Sequence, residues 1–430
     1  MALQSGESKT LSENQADVVV VGAGPGGSST AAHLANRGLD VILLEKSRFP
    51  RDKVCGDGLT PRGTRALTRL GIDTSEEAGW LHNKGLRIHG GKVAPFELDW
   101  PTLTDYPPHG LTSKRADFDL MLAQHAESRG VRLVQEAAAK DPILDEKTGR
   151  IVGVTTKQGE QYRAPIVVAA DGRSSRLAVA MGRMKRDDRP MGVAVRTYYR
   201  SPRSNDNYLD SWLELWDGKP HESALLPGYG WIFGMGDGTS NVGLGVLSTS
   251  KGYGNTDYRQ LLKRWLDNTP EEWGFRDENQ VGKIQGAALP MAFNRVPAYG
   301  RGLVLVGDAG GMVNPFNGEG IPYAMDSGEW AADHIAEAKA RGFGTSSAER
   351  VLHAYHKHLK AEWGGYYRLG TVFVRLIGDP RIMRLCTTYG LPIKPLMRFL
   401  LKFMSHLTDE TDGDISDRVI HVLETLAPAA

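Results

Sequence analysis

Residues 16–46 constrain the fold of this chain more than any other segment. Residues 17–21 are rich in valine and show no helical period, which predicts a strand buried in a parallel sheet. A glycine-rich turn, a helix over residues 28–37 and a second strand over residues 41–44 follow. The turn carries four glycines and one proline in the pattern GxGxxG: Gly22, Gly24, Pro25, Gly26 and Gly27.

Three positions of this pattern require glycine, each for a different physical reason. Gly22 permits the tight turn, Gly24 lets the backbone approach a pyrophosphate, and Gly27 lets the helix pack close to the strand. Phosphates then lie at the helix N-terminus, where free N–H groups and the helix dipole favour negative charge. Glu45 ends the second strand, where a carboxylate accepts both ribose hydroxyls and repels a 2′-phosphate. The segment predicts bound FAD or NAD rather than NADP; the alternative is an α/β domain with a glycine-rich turn and no ligand.

The composition excludes several classes of function. The chain has 430 residues, which suggests two or three domains, and its 52 basic and 51 acidic residues give no reason to expect a nucleic-acid partner. Its two cysteines, Cys55 and Cys386, are too few for a disulfide framework and lack the spacing of metal ligands. We therefore expect a reducing compartment and no metal. Residues 1–15 are polar and are predicted to be disordered, and no window of 18 apolar residues predicts a membrane span.

The middle of the chain changes its pattern twice. A loop over residues 48–61 is rich in glycine, proline and charge, which is typical of a loop that serves a site. A helix is predicted over residues 114–129. Aromatic and β-branched residues alternate over residues 193–246, which indicates an antiparallel sheet with one covered face. The residue pattern of a buried parallel strand returns at residues 302–309. The sequence therefore predicts a nucleotide-binding domain that is interrupted by a strand-rich insertion.

Two further strand ends carry an acidic residue beside glycine. Asp171 and Gly172 end one predicted strand, and Gly307 and Asp308 end another. In this order the chain resembles the flavoprotein superfamily typified by p-hydroxybenzoate hydroxylase, whose members bind FAD through a GxGxxG, a central DG and a later GD. The resemblance implies that Arg115 contacts the FAD; the alternative is a bare surface arginine at a helix start.

Three more segments narrow the resemblance to the geranylgeranyl reductase family. Residues 49–62 resemble its cysteine-bearing loop, residues 226–233 its Tyr-x-Trp-x-Phe substrate motif, and residues 314–321 the glycine-rich stretch that passes the isoalloxazine. The chain is most similar to actinobacterial members that reduce one double bond in the menaquinone side chain. The resemblance implies further cofactor contacts at Lys46, Cys55, Gly56, Gly318, Gly320 and Ile321, and substrate contacts at Tyr229, Trp231 and Phe233.

The predicted fold class is α/β (α+β): a Rossmann-like FAD-binding domain with an inserted antiparallel β-sheet substrate domain and a helical C-terminal region. The predicted boundaries are 16–85, 110–185 and 300–345 for the FAD-binding domain, 86–109 and 186–299 for the substrate domain, and 346–430 for the helical region.

The side chains of the three family segments suit an isoprenoid. The aromatic triple alternates along a strand and can form a wall beside a prenyl tail, although the core face of a sheet has the same pattern. Glu319, between Gly318 and Gly320, is interpreted as no more than a helix cap. Cys55 is either a proton donor or a small packing residue, and packing is the commoner use.

The resemblance implies reduction of an isolated alkene by hydride from flavin N5 plus a proton. Cys55 is the candidate catalytic acid, and a bound water is the alternative. The sequence has one GxGxxG with its own strand and acidic residue. The electron donor is therefore expected to be NAD(P)H bound transiently, or a protein.

Residues 394–406 predict a basic, strongly apolar helix. Bases recur at Lys394, Arg398, Lys402 and His406. Such a helix lies in the interface of an anionic membrane, or it packs on the protein with the basic stripe in solvent. Residues 366–385 are similarly apolar and basic. They favour a cytoplasmic protein attached peripherally to the inner face of the cell membrane.

Other functions stay open at this point. A flavin-dependent aromatic hydroxylase shares the FAD motifs, and a halogenase is disfavoured because the chain has no Trp-x-Trp-x-Ile-Pro segment. A non-catalytic prenyl-binding protein would use the same fold. Among reductases, the substrate is menaquinone, geranylgeranyl diphosphate or a geranylgeranyl lipid.

Overall fold

The computed structural model describes residues 13–249, 256–409 and 413–427. The predicted disorder of residues 1–12 lies outside the described residues. Gln15, at the end of that predicted segment, forms an isolated bridge with Arg163.

Strands are concentrated before residue 306, and the described residues after residue 320 are mostly helical. The strands are β1 (Val18–Val21), β2 (Val41–Leu44), β3 (Gly58–Leu59), β4 (Leu81–Asn83), β5 (Gly85–His89), β6 (Phe96–Asp99), β7 (Gly110–Thr112), β8 (Arg132–Val134), β9 (Ala139–Leu144), β10 (Ile151–Thr156), β11 (Gln161–Arg163), β12 (Ile166–Ala169), β13 (Met191–Arg200), β14 (Tyr208–Trp212), β15 (Leu215–Trp216), β16 (Leu225–Leu226), β17 (Gly228–Gly234), β18 (Thr239–Leu247), β19 (Gln280–Pro290), β20 (Tyr299–Gly300) and β21 (Leu303–Leu305). The α-helices are α1 (Pro25–Asn36), α2 (Pro61–Leu70), α3 (Arg115–Ser128), α4 (Arg176–Ala180), α5 (Tyr258–Leu266), α6 (Ile321–Ala340), α7 (Ser346–Ile377), α8 (Pro380–Leu385), α9 (Lys394–Met404) and α10 (Ile415–Leu426).

A six-stranded sheet in the order β20-β21-β12-β1-β2-β8 forms the nucleotide-binding part. Strands β21, β12, β1, β2 and β8 run parallel. The valines of β1 alternate between two cores because both faces of the sheet are covered. Val18 and Val20 pack with the helical side, whereas Val19 and Val21 pack with β10 and α4. The predicted Rossmann-like part of the fold is confirmed.

A seven-stranded sheet in the order β19-β13-β18-β17-β14-β5-β6 forms the inserted part. Its pairs are antiparallel except β14 with β5. Helix α5 covers one face, where Leu261 and Trp265 pack against Ile232 and Leu244. The predicted antiparallel sheet with one covered face is therefore present, and its other face is free to border a site.

The C-terminal helices connect the two sheets. Helix α7 packs on α6 beside the parallel sheet, and α9 packs on the end of the seven-stranded sheet. There Met397 and Leu401 join a core with Ile88 and Leu98. No helix among the described residues is long and apolar enough to cross a membrane.

Local element limits differ from the prediction in two places. Helix α1 begins at Pro25 rather than at residue 28, because proline presets the backbone angle of a first helical turn. Strand β3 occupies the end of the predicted loop over residues 48–61. The predicted domain limit at residue 86 falls inside β5, and the exact domain boundaries stay a prediction.

Candidate active site

One cavity of about 1030 Å³ lies where the two large sheets meet. Nearly all the predicted site residues line it: Gly22, Gly24, Pro25, Gly26, Glu45, Lys46, Cys55, Gly56, Arg115, Asp171, Gly172, Tyr229, Trp231, Phe233, Gly307, Asp308, Gly318, Gly320 and Ile321. These residues are far apart in sequence. The residues that follow β1, β2, β12 and β21 meet because the carboxyl ends of these parallel strands lie at one edge of the sheet. Tyr229, Trp231 and Phe233 reach the cavity from β17 of the seven-stranded sheet.

The glycine turn after β1 leaves room for a pyrophosphate. Gly22 has φ +100°, and a Cβ there would lie 2.5 Å from the Ala170 carbonyl oxygen. A Cβ on Gly27 would lie 1.8 Å from the Gly22 carbonyl oxygen, so Gly27 serves helix packing and does not border the cavity. A Cβ on Gly24 would meet no described atom closer than Arg51 Nη2, at 3.9 Å. The backbone at Gly24 is thus open to a ligand, and the turn fits FAD.

Glu45 is held where the ribose of a nucleotide is expected. It is buried, and its two carboxylate oxygens accept hydrogen bonds from Ala23 N and Ser47 N, each at 3.1 Å. Arg51 bridges Glu45 at 3.1 Å and Asp119 at 2.7 Å. Lys46 beside it is exposed. The sequence did not predict Arg51, because an arginine in a charged loop has no distinguishing pattern.

Arg115 is a buried residue at the start of α3. Its Nε and Nη2 donate to the two oxygens of Asp119 at 2.8 and 2.9 Å. Burial desolvates the guanidinium and acts to lower its pKa, but the Asp119 carboxylate, together with Cys55, outweighs that effect, so the pKa of Arg115 is raised. A bare surface arginine is therefore excluded, and contact with FAD stays a prediction.

The two remaining strand ends supply carboxylates. Asp171 follows β12, and its Oδ2 accepts from Arg176 N at 2.9 Å. Its Oδ1 is buried without a partner among the described residues, and burial raises the pKa of this carboxyl. Asp308 follows β21 in a single turn that begins at Gly307, which has φ +54°. Both carboxylates line the cavity, and their contact with FAD stays a prediction.

A hydrogen-bond network fastens the cysteine loop to strand β17. Trp231 Nε1 donates to Asn241 Oδ1 at 2.9 Å, and Asn241 Nδ2 donates to Cys55 O at 2.9 Å and to Asp57 Oδ2 at 2.8 Å. Burial raises the pKa of Asp57 to about 6. The ring of Phe233 lies against the backbone of the loop, since a Cβ on Gly58 would be 3.1 Å from it. Asp57 and Asn241 are functional candidates that the sequence analysis missed.

The aromatic triple faces the cavity. Tyr229, Trp231 and Phe233 all line it, whereas Gly230 faces the opposite side, where a Cβ would lie 2.4 Å from the Trp265 ring. The Tyr229 hydroxyl donates to Asn317 O at 2.7 Å, which ties the wall to the glycine-rich stretch. The triple is thus a cavity wall rather than the α5-covered core. Its contact with a substrate stays a prediction.

The Cys55 thiol lies close to the backbone of Asp57 and to the Arg115 guanidinium. Its Sγ accepts from Asp57 N at 3.3 Å. Burial raises the pKa of the thiol, although nearby Arg115 acts in the opposite direction. Cys55 is therefore protonated at neutral pH, which suits both proton donation and simple packing.

Glu319 does not cap a helix. Helix α6 begins at Ile321, and its N-cap residue Gly320 makes no side-chain capping bond. Instead, Glu319 Oε1 accepts from Thr60 N at 3.3 Å and from Thr60 Oγ1 at 2.8 Å. Oε2 is buried without a partner among the described residues, and burial raises the pKa of the carboxyl to about 7. The cap interpretation is wrong because the glycine after Glu319 takes the cap position.

Beyond the aromatic wall the cavity continues as an apolar extension, here called the tail arm. Its lining is aliphatic and aromatic: Leu86, Ile88, Leu98, Trp100, Leu209, Leu213, Met397, Leu400, Leu401 and Met404. Strands β5, β6 and β14 form one side, and helix α9 forms the other. This part of the site carries no motif, and the sequence analysis did not predict its residues.

The predicted basic stripe of α9 is half buried. Lys402 forms ion pairs with Asp417 at 2.7 Å and Asp414 at 3.1 Å, and only 5% of its surface is exposed. His406 is buried and stacks on Tyr366 with ring centroids 4.0 Å apart. Both predicted environments of the stripe, membrane surface and solvent, are therefore wrong for these two bases, because α10 and α7 cover them.

The geometry and the family comparison agree on the class of protein. The chain belongs to the family described as FAD binding domain, whose model matches residues 15–360. It is an FAD-dependent oxidoreductase.

Individual relatives extend across nearly the whole chain. It is 35% identical over 409 residues to the menaquinone reductase of Mycobacterium tuberculosis, covering 95% of each chain. It is 32% identical over 342 residues to digeranylgeranylglycerophospholipid reductase 2 of Methanopyrus kandleri, covering 75% of this chain and 77% of the relative. Its fold matches a geranylgeranyl bacteriochlorophyll reductase-like structure from Thermoplasma acidophilum, with TM-score 0.75, 22% identity, and coverage of 95% and 99%.

Proposed function

We propose that this protein saturates one isoprenoid C=C bond in the polyprenyl side chain of menaquinone, with FAD as its cofactor. The observation that carries the proposal is a single cavity that joins the FAD motifs to the apolar tail arm. Menaquinone is favoured because relatives that match 94–95% of the chain are menaquinone reductases. The lipid reductase relatives favour a geranylgeranyl lipid as the second candidate.

The residues of the chain divide the work between binding and exclusion. Gly24, Glu45 and Arg115 would hold the nucleotide part of FAD, and Gly318 and Gly320 would let the backbone lie against its ring system. When bound, FAD supplies the hydride. Since an isolated alkene carries no activating group, the aromatic wall and the tail arm contribute by placing it and by excluding water.

The electron donor in this proposal is NAD(P)H that binds transiently, or a protein donor. The basis is the sequence, which contains one GxGxxG with its own strand and acidic residue. Anaerobic mixing of the purified yellow protein with NADH, NADPH or a reduced iron–sulfur protein identifies the donor by bleaching of the flavin.

We also propose that a surface formed by the end of α7, by α8 and by the start of α9 attaches the protein peripherally to anionic membranes. Large apolar side chains are exposed along it: Val372, Leu376, Leu385, Tyr389, Ile393 and Leu396. Exposed bases accompany them: Arg375, Arg381, Arg384, Lys394 and Arg398. The same segments turn Phe373, Ile377 and Met383 into the cavity, so a prenyl tail would have a short path from bilayer to site.

Vesicle flotation tests the membrane part. Leu385→Glu with Ile393→Glu is expected to abolish flotation with anionic vesicles, because charge replaces exposed apolar surface. Leu144→Glu is the matched control, since Leu144 is an exposed leucine on β9. Equal flotation of both variants would exclude this surface.

Mass spectrometry of anaerobic reaction products tests the reaction. We expect menaquinone to gain one pair of hydrogens, with geranylgeranyl diphosphate and geranylgeranyl lipids unchanged. If only the geranylgeranyl lipids gain hydrogen, a geranylgeranyl lipid replaces menaquinone as the proposed substrate. Hydroxylated aromatic products formed with oxygen would indicate a monooxygenase, and prenyl binding without any product would indicate a carrier.

A further inference from the structure

The Glu319 carboxyl occupies an unusual position in the cavity wall. It is half-buried, it lines the cavity, and its Oε2 is shielded from solvent without a partner among the described residues. Thr60 fixes the other oxygen through two hydrogen bonds. A buried carboxyl is costly to keep without a complete set of partners. The unpaired Oε2 therefore lacks the compensating hydrogen bond that a buried oxygen requires, at a residue that lines the cavity.

Charged and titratable groups surround Glu319 on several elements. Arg62 on α2 and Asp326 on α6 form a buried ion pair at 2.8 Å, and both influence the Glu319 carboxyl. Burial raises the pKa of Tyr229 on β17 and of Tyr323 on α6, and the nearby charge of Glu319 acts in the same direction. A Cβ on the adjacent Gly318 would lie 3.4 Å from the Tyr229 hydroxyl, so Glu319 adjoins the aromatic wall.

We propose that Glu319 is the catalytic acid that protonates the isoprenoid double bond. This inference rests on the proposed reductase function. One alkene carbon receives a hydride, with its electron pair, from the reduced cofactor, and the other carbon receives the proton from Glu319. The π bond is lost, two C–H bonds form, the cofactor is oxidised, and Glu319 becomes a carboxylate that must regain a proton from solvent before the next turnover.

The surroundings suit both forms of the acid. Burial raises the pKa of Glu319 to about 7, so about half of the molecules carry its proton at pH 7 and nearly all do at lower pH. After donation, Arg62 and the two Thr60 donors stabilise the carboxylate. Cys55 is the rival donor, but burial raises the pKa of its thiol above the ordinary value of 9.0. Glu319 is therefore the stronger acid of the two.

Separate measurement of the two half-reactions tests the role. Glu319→Gln is expected to retain FAD and to be reduced at the wild-type rate, whereas oxidation of the reduced protein by menaquinone slows about 100-fold. Cys55→Ser, at the rival donor in the cavity wall, should slow this oxidation less than Glu319→Gln does. Glu329→Gln is the matched control, because Glu329, on α6, also has a raised pKa but pairs with Arg69 at 2.8 Å and does not line the cavity.

Infrared difference spectra of the FAD-free protein provide a readout independent of turnover. The wild-type spectrum minus the Glu319→Gln spectrum should contain a protonated carboxyl band that disappears near pH 7, and the Glu329→Gln protein should retain it. Subtraction removes the other buried acids, such as Asp57 and Glu424, which also have raised pKa values.

The outcomes separate the two proposals. Failure of wild-type reduced protein to be oxidised by any prenyl substrate overturns the reductase function. Normal oxidation of Glu319→Gln, or a loss confined to Cys55→Ser, overturns the role of Glu319. If Glu319→Gln fails to hold FAD, the half-reactions are measured with Glu319→Asp instead. In that case, the absence of a carboxyl band that titrates near neutral pH in the wild-type protein overturns the assignment.

Discussion

The nucleotide end and the tail arm of the one cavity are built on opposite rules. The nucleotide end comes from short stretches at four strand ends, around Gly22, Glu45, Asp171 and Asp308. The tail arm comes from scattered leucines and methionines on strands and a helix that are distant in sequence. A ligand rich in phosphate and hydroxyl groups is recognised by backbone geometry, which only certain residues permit. A prenyl tail is recognised by shape alone, which many sequences can provide.

The largest expected effect separates folding from cofactor binding at the nucleotide end. Gly27→Val places a Cβ 1.8 Å from the Gly22 carbonyl oxygen. We expect it to lower the free energy of unfolding by about 4 kcal/mol or more and to abolish FAD binding. Gly24→Ala should abolish FAD binding but leave the thermal unfolding of the FAD-free protein unchanged, because its Cβ projects into open space. Flavin absorbance and calorimetry check both. Retention of FAD by Gly24→Ala would contradict the assigned pyrophosphate site.

The second largest effect is expected at Glu319, where the two ends of the cavity meet, and it concerns the pH dependence of stability. The pKa of Glu319 is about 7 in the folded protein against an ordinary 4.5, so the folded state binds this proton more tightly. Its contribution is complete below pH 4.5 and is lost as pH rises to about 7, by on the order of 3 kcal/mol. Denaturant unfolding of FAD-free wild type and Glu319→Gln measures the difference. If the free energy of unfolding changes equally with pH in the two proteins, the pKa of Glu319 in the folded protein is close to its ordinary value of 4.5.

A smaller effect is expected in the tail arm. Leu400 is half-buried and lines the arm, so Leu400→Trp fills part of it. We expect about a tenfold loss of kcat/KM for long-chain menaquinone, with FAD content unchanged and short-chain analogues less affected. Leu400→Met preserves volume and serves as the control. Equal losses for long and short chains would show that the arm does not hold the tail.

The smallest effect should come from a surface ion pair that belongs to neither end. Arg37 Nε, at the residue that follows α1, lies 2.9 Å from Asp333 Oδ1 on α6, and both side chains are partly exposed. Asp333→Asn is expected to change the free energy of unfolding by less than about 1 kcal/mol and to leave FAD binding intact. Chemical denaturation checks it, and a larger change would place this pair in the framework of the nucleotide end.

The same contrast explains how much could be predicted from the sequence. The parallel strands, the inserted antiparallel sheet and the positions of Gly24, Glu45 and Asp308 follow from periodicity and from backbone demands. Glu319 was misjudged because its burial depends on the Thr60 loop, more than 250 residues away in the chain. Lys402 was misjudged because a local pattern cannot reveal that α10 supplies its counter-charges.

The hydrogen bond between the Tyr229 hydroxyl and Asn317 O has a consequence for regiochemistry. It fixes the aromatic strand to the glycine-rich stretch around Gly318. Under the proposed function, this bond would hold the point of reduction in place, and the number of isoprene units that fit in the tail arm would decide which double bond reaches it. Shortening the arm with Leu400→Trp should shift the saturated unit along the chain, which fragmentation of the product in a mass spectrometer would reveal.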